Sequence, residues 1–265
     1  MSAGDDDAPV VLKLGGETLA AQHATLAALP ALVADRRIVL VHGGGKRLTT
    51  WLERLGIESR FEDGRRVTDD AALEVAVAIL GGVVNRELVA ALAALGVRAA
   101  GITGIDGGLL RAERIASLGR VGRVTSTDPA VLDALLDAGI LPVVAPLAID
   151  ETGAICNVNA DEVAAAIASA MHGRLLLLSD TDGVRGADGR RLETLDEAGA
   201  EDLIAQGVIA GGMVPKVRGA LDVLRAGGRE VVVADGRGGD AIRRAIEDAG
   251  AGTRIVRGGG SPGSA

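Results

Sequence analysis

Aromatic residues are almost missing from this 265-residue chain, which has one Phe, one Trp and no Tyr. With 48% hydrophobic residues, its core has to be assembled from Ala, Val, Leu and Ile, a composition suited to helices packed on a parallel sheet. Cysteine is scarce too: Cys156 stands alone, which excludes an intrachain disulfide framework and a cysteine-rich metal site. The three histidines, His23, His42 and His172, lack ligand-like spacing, so there is no zinc motif. Basic charge is in deficit, with 28 Lys and Arg against 36 Asp and Glu and a net charge of −8. No basic stripe interleaved with aromatics is available to track a nucleic-acid backbone, so nucleic acid is not an expected partner. A phosphorylated ligand would have to be held by a few well-positioned cations and backbone donors. The leading Met1 to Asp7 is acidic where a signal peptide is basic, and no apolar run reads as long enough to span a membrane. A cytoplasmic protein that does not engage a membrane is the expectation.

Glycine is abundant, at 39 residues, and it collects where strands end. The most explicit stretch is Ile38 to Lys46, a β-branched apolar run closing in Gly43-Gly44-Gly45. Three residues without Cβ let peptide N–H groups approach an anion, and the following Leu48, Trp51, Leu52 and Leu55 predict a helix whose positive end adds to that field. A tight turn without a ligand is the alternative reading of the triplet taken alone. Upstream, Val10 to Gly16 is a second strand entering glycines, with Lys13 inside the apolar run. Residues 18–34 read as the helix between the two strands. The resulting βαβ unit puts both glycine turns at the carboxyl edge of the sheet, where open α/β sheets bind ligands.

Phe61 to Arg66 has a hairpin's Asp63-Gly64 turn followed by paired arginines, and Thr68 or Asp69 is positioned to cap a long helix reaching about Leu95. That helix is apolar on most faces, which predicts burial in a core or a subunit interface, and its Gly81-Gly82 pair permits close approach of another element. Residues 109–124 read as a β-meander. Asn159 is positioned to cap a helix from Asp161 to Met171, with Asp161 in its first turn and Asn157 just outside. Arg174 to Ser179 is a further strand, and a boundary between two lobes is expected just before it. Pro215 suits the first turn of a helix over 217–226, which sets Lys216 at a helix N-terminus, a poor site for a cation unless an anion is bound. Residues 258–265 read as a disordered Gly/Ser/Pro tail.

Six motifs in this order resemble the amino acid kinase family: Lys13-Leu14-Gly15-Gly16, His42 to Gly45, Gly64 to Thr68, Asn157 to Asp161, Ser179-Asp180 and Gly211 to Lys216. Neither a P-loop nor a dinucleotide fingerprint fits. The resemblance implies an α/β three-layer αβα sandwich around a central, mostly parallel sheet in two lobes. Residues 1–173 would serve the amino-acid substrate and dimerisation, and residues 174–257 would serve ATP. It also implies transfer of the γ-phosphoryl group of ATP, carried with Mg²⁺ and no protein metal cage, to the γ-carboxylate of N-acetyl-L-glutamate. Within it, Lys13 and Lys216 resemble the cations on the transferring group and Asp161 the carboxylate orienting them. Gly44 and Gly45 resemble backbone donors, and Arg66 and Asn157 resemble holders of the substrate's α-carboxylate and acylamino group. Gly15, Gly16, Ser179, Asp180, Gly211 and Met213 join the two lysines on the nucleotide side. Related kinases acting on carrier-protein-linked α-aminoadipate or glutamate share this machinery and remain an alternative, as does a non-catalytic nucleotide- or anion-binding protein of the same fold. About nine residues precede the first strand. The resemblance therefore implies the homodimeric, arginine-insensitive type, since the family's hexamers are joined by an N-terminal helix.

Overall fold

Alternation along the first strand sets the layering. In the computed structural model, which describes residues 8–15, 25–62, 64–179, 181–237, 240–247 and 250–257, β1 (Val10–Leu14) sends Val10, Leu12 and Leu14 into one apolar cluster and Val11 into another. The side chains of Ser179, Pro215 and Ala241 also lie outside the description. The first cluster is completed by helices Leu29–Asp35, Asn85–Ala94 and Ala241–Glu247, the second by helices Ala160–Ala170 and Met213–Arg225. A two-residue strand period with helices on both faces gives three layers.

The remaining strands are β2 (Ile38–His42), a small hairpin of β3 (Phe61–Glu62) and β4 (Arg65–Arg66), β5 (Ala99–Thr103), β6 (Leu110–Arg114), β7 (Val121–Thr127), β8 (Leu141–Ala145), β9 (Leu147–Ile149), β10 (Ile155–Val158), β11 (Arg174–Ser179), β12 (Thr194–Asp196), β13 (Glu230–Asp235) and β14 (Thr253–Val256). The main sheet has the order β12-β14-β13-β11-β1-β2-β8-β5 and is parallel from β13 to β5, with an antiparallel β13–β14 junction. β1 pairs with β2 on one side and β11 on the other, so one sheet runs through both expected lobes.

Two expectations about these elements change, and a third is tested only in part. Residues 109–124 do not form a meander: β6 and β7 join β9 and β10 in a closed four-stranded barrel, because β10 pairs in parallel with β7 and antiparallel with β9. The helix expected over 217–226 begins earlier, at Met213. Of the helix expected over 18–34, residues 16–24 lie outside the described residues and Leu29–Asp35 is helical; Gly16, Asp180 and the 258–265 tail also lie outside.

The long helix Asp70–Ala94 starts on Asp69, whose carboxylate accepts from Ala72 N at 2.8 Å. It is not buried all round. Ala72, Ala76, Ile79, Leu80, Leu88 and Leu92 face the protein; Val75, Val83 and Val89 pack on its clusters while staying half-exposed, and Leu73 and Val77 are half-exposed without joining a cluster. Over Val77–Val84, which contains the glycine pair, the helix widens to π geometry. Gly81 lies close to Thr103 and Leu147 of its own chain, while a Cβ on Gly82 would meet nothing within 4 Å. At 25 residues this helix has the length and apolar character of a membrane span, contrary to the sequence expectation, but one such helix packed against a sheet is no sign of a membrane protein.

Candidate active site

Because β1 and β2 are parallel, with Leu14 opposite His42, both glycine turns leave the same edge of the sheet. Lys13 projects from the Val11 face of β1 toward the Ala160–Ala170 helix, and its ammonium lies 2.9 Å from Asp161 Oδ1. Asp161 is fixed there by its cap: Asn159 Oδ1 accepts from Asp161 N at 2.8 Å and Glu162 N at 3.4 Å. The lysine side chain is 13% exposed and the aspartate 41%, so the pair sits at a rim with its acidic partner reaching solvent.

Gly44 adopts φ 147°, a left-handed conformation that only glycine takes readily, and caps the helix Gly45–Arg54. Gly45 is different: it has no such φ, and a Cβ there would meet nothing within 4 Å. The fold has no need of a glycine at Gly45. The amides of this first turn lack intrahelical acceptors and stand at the positive end of the helix dipole. They border a cavity of about 150 Å³ that Phe61, Arg65, Arg66, Pro146, Asn157 and Asn159 also line.

Arg66 is buried, and burial lowers its pKa from the usual value. Its guanidinium donates to Thr49 Oγ1 at 2.7 Å and Gly45 O at 3.2 Å, reaches Ser59 Oγ, and lies over the Phe61 ring at 4.5 Å. Asn157 donates from Nδ2 to the buried Thr68 Oγ1 at 3.2 Å. The structure thus gathers Gly44, Gly45, Arg66 and Asn157 around one cavity, with Lys13 and Asp161 paired at the same sheet edge.

A second cleft, of about 580 Å³, lies in the C-terminal half and is lined by Thr181, Asp182, Arg185, Ile209, Met213 and Arg237 among others. Gly211, at φ 57°, turns the chain into the Met213–Arg225 helix, which carries Lys216 in its first turn. This helix packs on Ala160–Ala170, so Lys216 and Asp161 occupy the first turns of two neighbouring helices. Gly15 follows β1 directly, and a Cβ there would lie 3.6 Å from the Leu178 carbonyl. Ser179 ends β11.

Sequence reasoning missed three participants: Phe61 stacked on Arg66, the Arg65–Glu162 ion pair at 2.8 Å, and the fully buried Asn85 bonded to His42. A polar residue on the buried stripe of an apolar helix was the available signal for Asn85.

Two clefts opening from one parallel sheet, with a lysine–aspartate pair beside a glycine turn, have the layout of a two-substrate enzyme. The chain belongs to the amino acid kinase family, whose model matches residues 8–235. It is 43% identical to an acetylglutamate kinase from Rubrobacter xylanophilus, over 93% of this chain and 96% of that one. It is 41% identical to an acetylglutamate kinase from Halorhodospira halophila, over 94% of this chain and 89% of that one. Among solved structures, N-acetylglutamate synthase from Neisseria gonorrhoeae, complexed with coenzyme A and N-acetyl-glutamate, superposes with a TM-score of 0.82 at 24% identity; the match covers 96% of this chain and 60% of that one, and it speaks for the fold.

Proposed function

We propose that this protein transfers the γ-phosphoryl group of ATP to the γ-carboxylate of N-acetyl-L-glutamate, the second step of arginine biosynthesis. The observation that carries the reading is the Lys13–Asp161 pair at 2.9 Å, at the same sheet edge as the cavity bordered by Gly44, Gly45, Arg66 and Asn157. A carboxylate is already nucleophilic at neutral pH, so the site has to supply alignment and charge neutralisation rather than a base. Lys13 and Lys216 take the charge of the transferring group, with Asp161 orienting them. The amides of Gly44 and Gly45 take oxygens of the acceptor and the phosphoryl group, and Arg66 and Asn157 hold the α-carboxylate and acylamino ends. ATP occupies the cleft at Met213, with Gly15, Ser179 and Gly211 on its phosphate side; Gly16 and Asp180, assigned to the nucleotide from the motifs alone, lie outside the described residues. Among the described residues no cluster of three or more His, Cys, Asp or Glu side chains forms a metal cage. Mg²⁺ is read as arriving bound to the nucleotide's own oxygens, the usual arrangement for this ion at phosphate sites.

The protein acts as a homodimer joined through Asp70–Ala94, a reading supported by the half-exposed Leu73 and Val77 and the open Gly82 of that helix. Measuring ADP release with N-acetyl-L-glutamate beside glutamate, aspartate and carbamate tests the activity. Release dependent on N-acetyl-L-glutamate is expected; equal release with carbamate, or none with any acceptor, overturns it.

A further inference from the structure

Asn85 follows the π-helical stretch of the long helix and is fully buried. Its Nδ2 lies 2.9 Å from the Val143 carbonyl, 3.3 Å from the Ile102 carbonyl and 3.1 Å from His42 Nε2. Two carbonyl oxygens on one side fix which end of the amide faces them, because an amide nitrogen only donates. Among the described residues the Oδ1 atom has no hydrogen-bond partner, and it lies over the bare Cα of Gly101, where a Cβ would be 1.8 Å away. Any side chain on Gly101 would evict Asn85.

Nδ2 has two hydrogens, and the two shorter contacts direct one to the Val143 carbonyl and one to His42 Nε2, which therefore presents a lone pair and leaves the imidazole proton on Nδ1. Nδ1 is 2.7 Å from the Gly43 carbonyl, so it donates there. Alternation along β2 turns His42 toward the long helix, on the same face as Ile38 and Leu40. Burial pushes the His42 pKa down to about 4, against a smaller opposing pull from the Gly43 carbonyl, so at neutral pH the ring stays uncharged.

The consequence falls on the glycine turn. Gly43 N donates to Leu14 O at 3.2 Å and Gly43 O accepts from His42, so both sides of this residue are tied to the sheet. In a trans peptide the C=O and the next N–H point in opposite directions. Turning the Gly43 carbonyl onto the imidazole therefore directs the Gly44 N–H away from it. Gly44 lines the acceptor cavity. We propose that Asn85 is a positioning residue: by holding His42 in its Nδ1–H form it locks the Gly43–Gly44 peptide, so the Gly44 amide meets the acceptor without reorganisation. The inference rests on the acceptor site described under Proposed function. His42 itself is not a base, since both ring nitrogens are engaged and the ring is fully buried.

Imidazole ¹⁵N NMR tests the relay without reference to activity, and a chain with three histidines keeps the spectrum simple. In the unmodified protein at pH 7, His42 should show a protonated Nδ1 and an unprotonated Nε2. Asn85→Leu should give a mixture of tautomers and lower kcat on the order of tenfold, below the 10²-fold scale of deleting an aligned donor outright, with KM for both substrates within about threefold. His42→Leu should lower kcat by a similar factor, and the double variant should be no worse than either single one. Rates are normalised to folded protein by circular dichroism, so a merely structural role would leave kcat unchanged. An Nε2–H tautomer in the unmodified protein, or additive losses in the double variant, overturns the proposal, as does a kcat within twofold in an Asn85→Leu variant whose tautomer has changed. Should the unmodified protein lack activity toward N-acetyl-L-glutamate, the function reading fails while the NMR result still decides the relay.

Discussion

Arg65 on the β3–β4 hairpin and Glu162 in the first turn of the Ala160–Ala170 helix form an ion pair at 2.8 Å, with side chains 28% and 21% exposed. Glu162 is anchored on its other oxygen, Oε1 accepting from Val124 N at 2.6 Å. The hairpin bearing Phe61 and Arg66 is thereby tied to the helix that carries Asp161. Glu162→Gln keeps an acceptor for Val124 and removes the charge. Both Glu162→Gln and Arg65→Ala should raise KM for the acceptor several-fold with kcat little changed, and a double-mutant cycle should give a coupling of about 1 kcal/mol. Strictly additive effects would show the pair to be incidental.

Gly45 separates the needs of the fold from those of the ligand. Gly45→Ala meets no atom of the protein, so the thermal midpoint should stay level or rise, in keeping with about 0.4–1 kcal/mol for Gly→Ala at compatible positions. Activity should nevertheless fall at least on the order of tenfold, because the methyl group intrudes where reacting atoms must align. Retained activity would remove this amide from the site.

Lys13→Ala and Lys216→Ala should each lower kcat on the order of 10²-fold or more while raising KM for N-acetyl-L-glutamate far less, since their contacts strengthen as charge redistributes in the transition state. Steady-state kinetics on both variants decides it, and near-normal turnover in both would refute the assignment.

His42 gives a stability signature in acid. Its native pKa of about 4 lies below the ordinary 6.5, so below pH 6.5 the unfolded chain takes up a proton that the native chain refuses. Stability is therefore complete above about pH 6.5 and falls by about 3 kcal/mol on the way down to pH 4. Asp70, Asp150 and Asp235, held below the usual carboxylate range mainly by hydrogen bonds from Arg120, Thr152 and Arg237 respectively, act at still lower pH. Urea titrations from pH 7.5 to 4 should show this slope in the unmodified protein and a flatter one in His42→Leu. An identical slope in both would assign it elsewhere.

The half-exposed Leu73 and Val77 of Asp70–Ala94 lead to the assembly prediction. Light scattering at micromolar concentration should give a dimer, and Leu73→Glu with Val77→Glu should shift it to monomer, because a two-fold interface repeats each substitution. A monomeric mass for the unmodified protein, or a dimer untouched by both charges, would place any contact on another surface.

The parts of the fold governed by local periodicity were legible in the sequence. Val10–Leu14 and Ile38–His42 announced themselves as β-branched runs ending in glycine, and Asn159 and Asp69 are the caps their residue types suggested. Closure of the barrel was not legible, because it depends on pairing Asn157 with Val121 across a separation that no local pattern encodes. Asn85 escaped for another reason: hydrophobic counting treats a long apolar helix as a stripe, and one amide on it changes the count little while changing the chemistry greatly. Arg65 read only as one of two paired arginines after a hairpin turn, yet it is matched to a carboxylate almost a hundred residues away.

β1 takes its hydrogen bonds from β2 on one flank and β11 on the other, which makes the junction of the two halves a continuous ladder rather than a hinge. Pulling the halves straight apart would shear that seam. For the same reason the chain is not divisible at the point where its halves meet. A fragment ending at Gly173 would carry Val10–Leu14 as a bare apolar edge, and a raw edge of that kind recruits strands from other molecules before it recruits its missing partner.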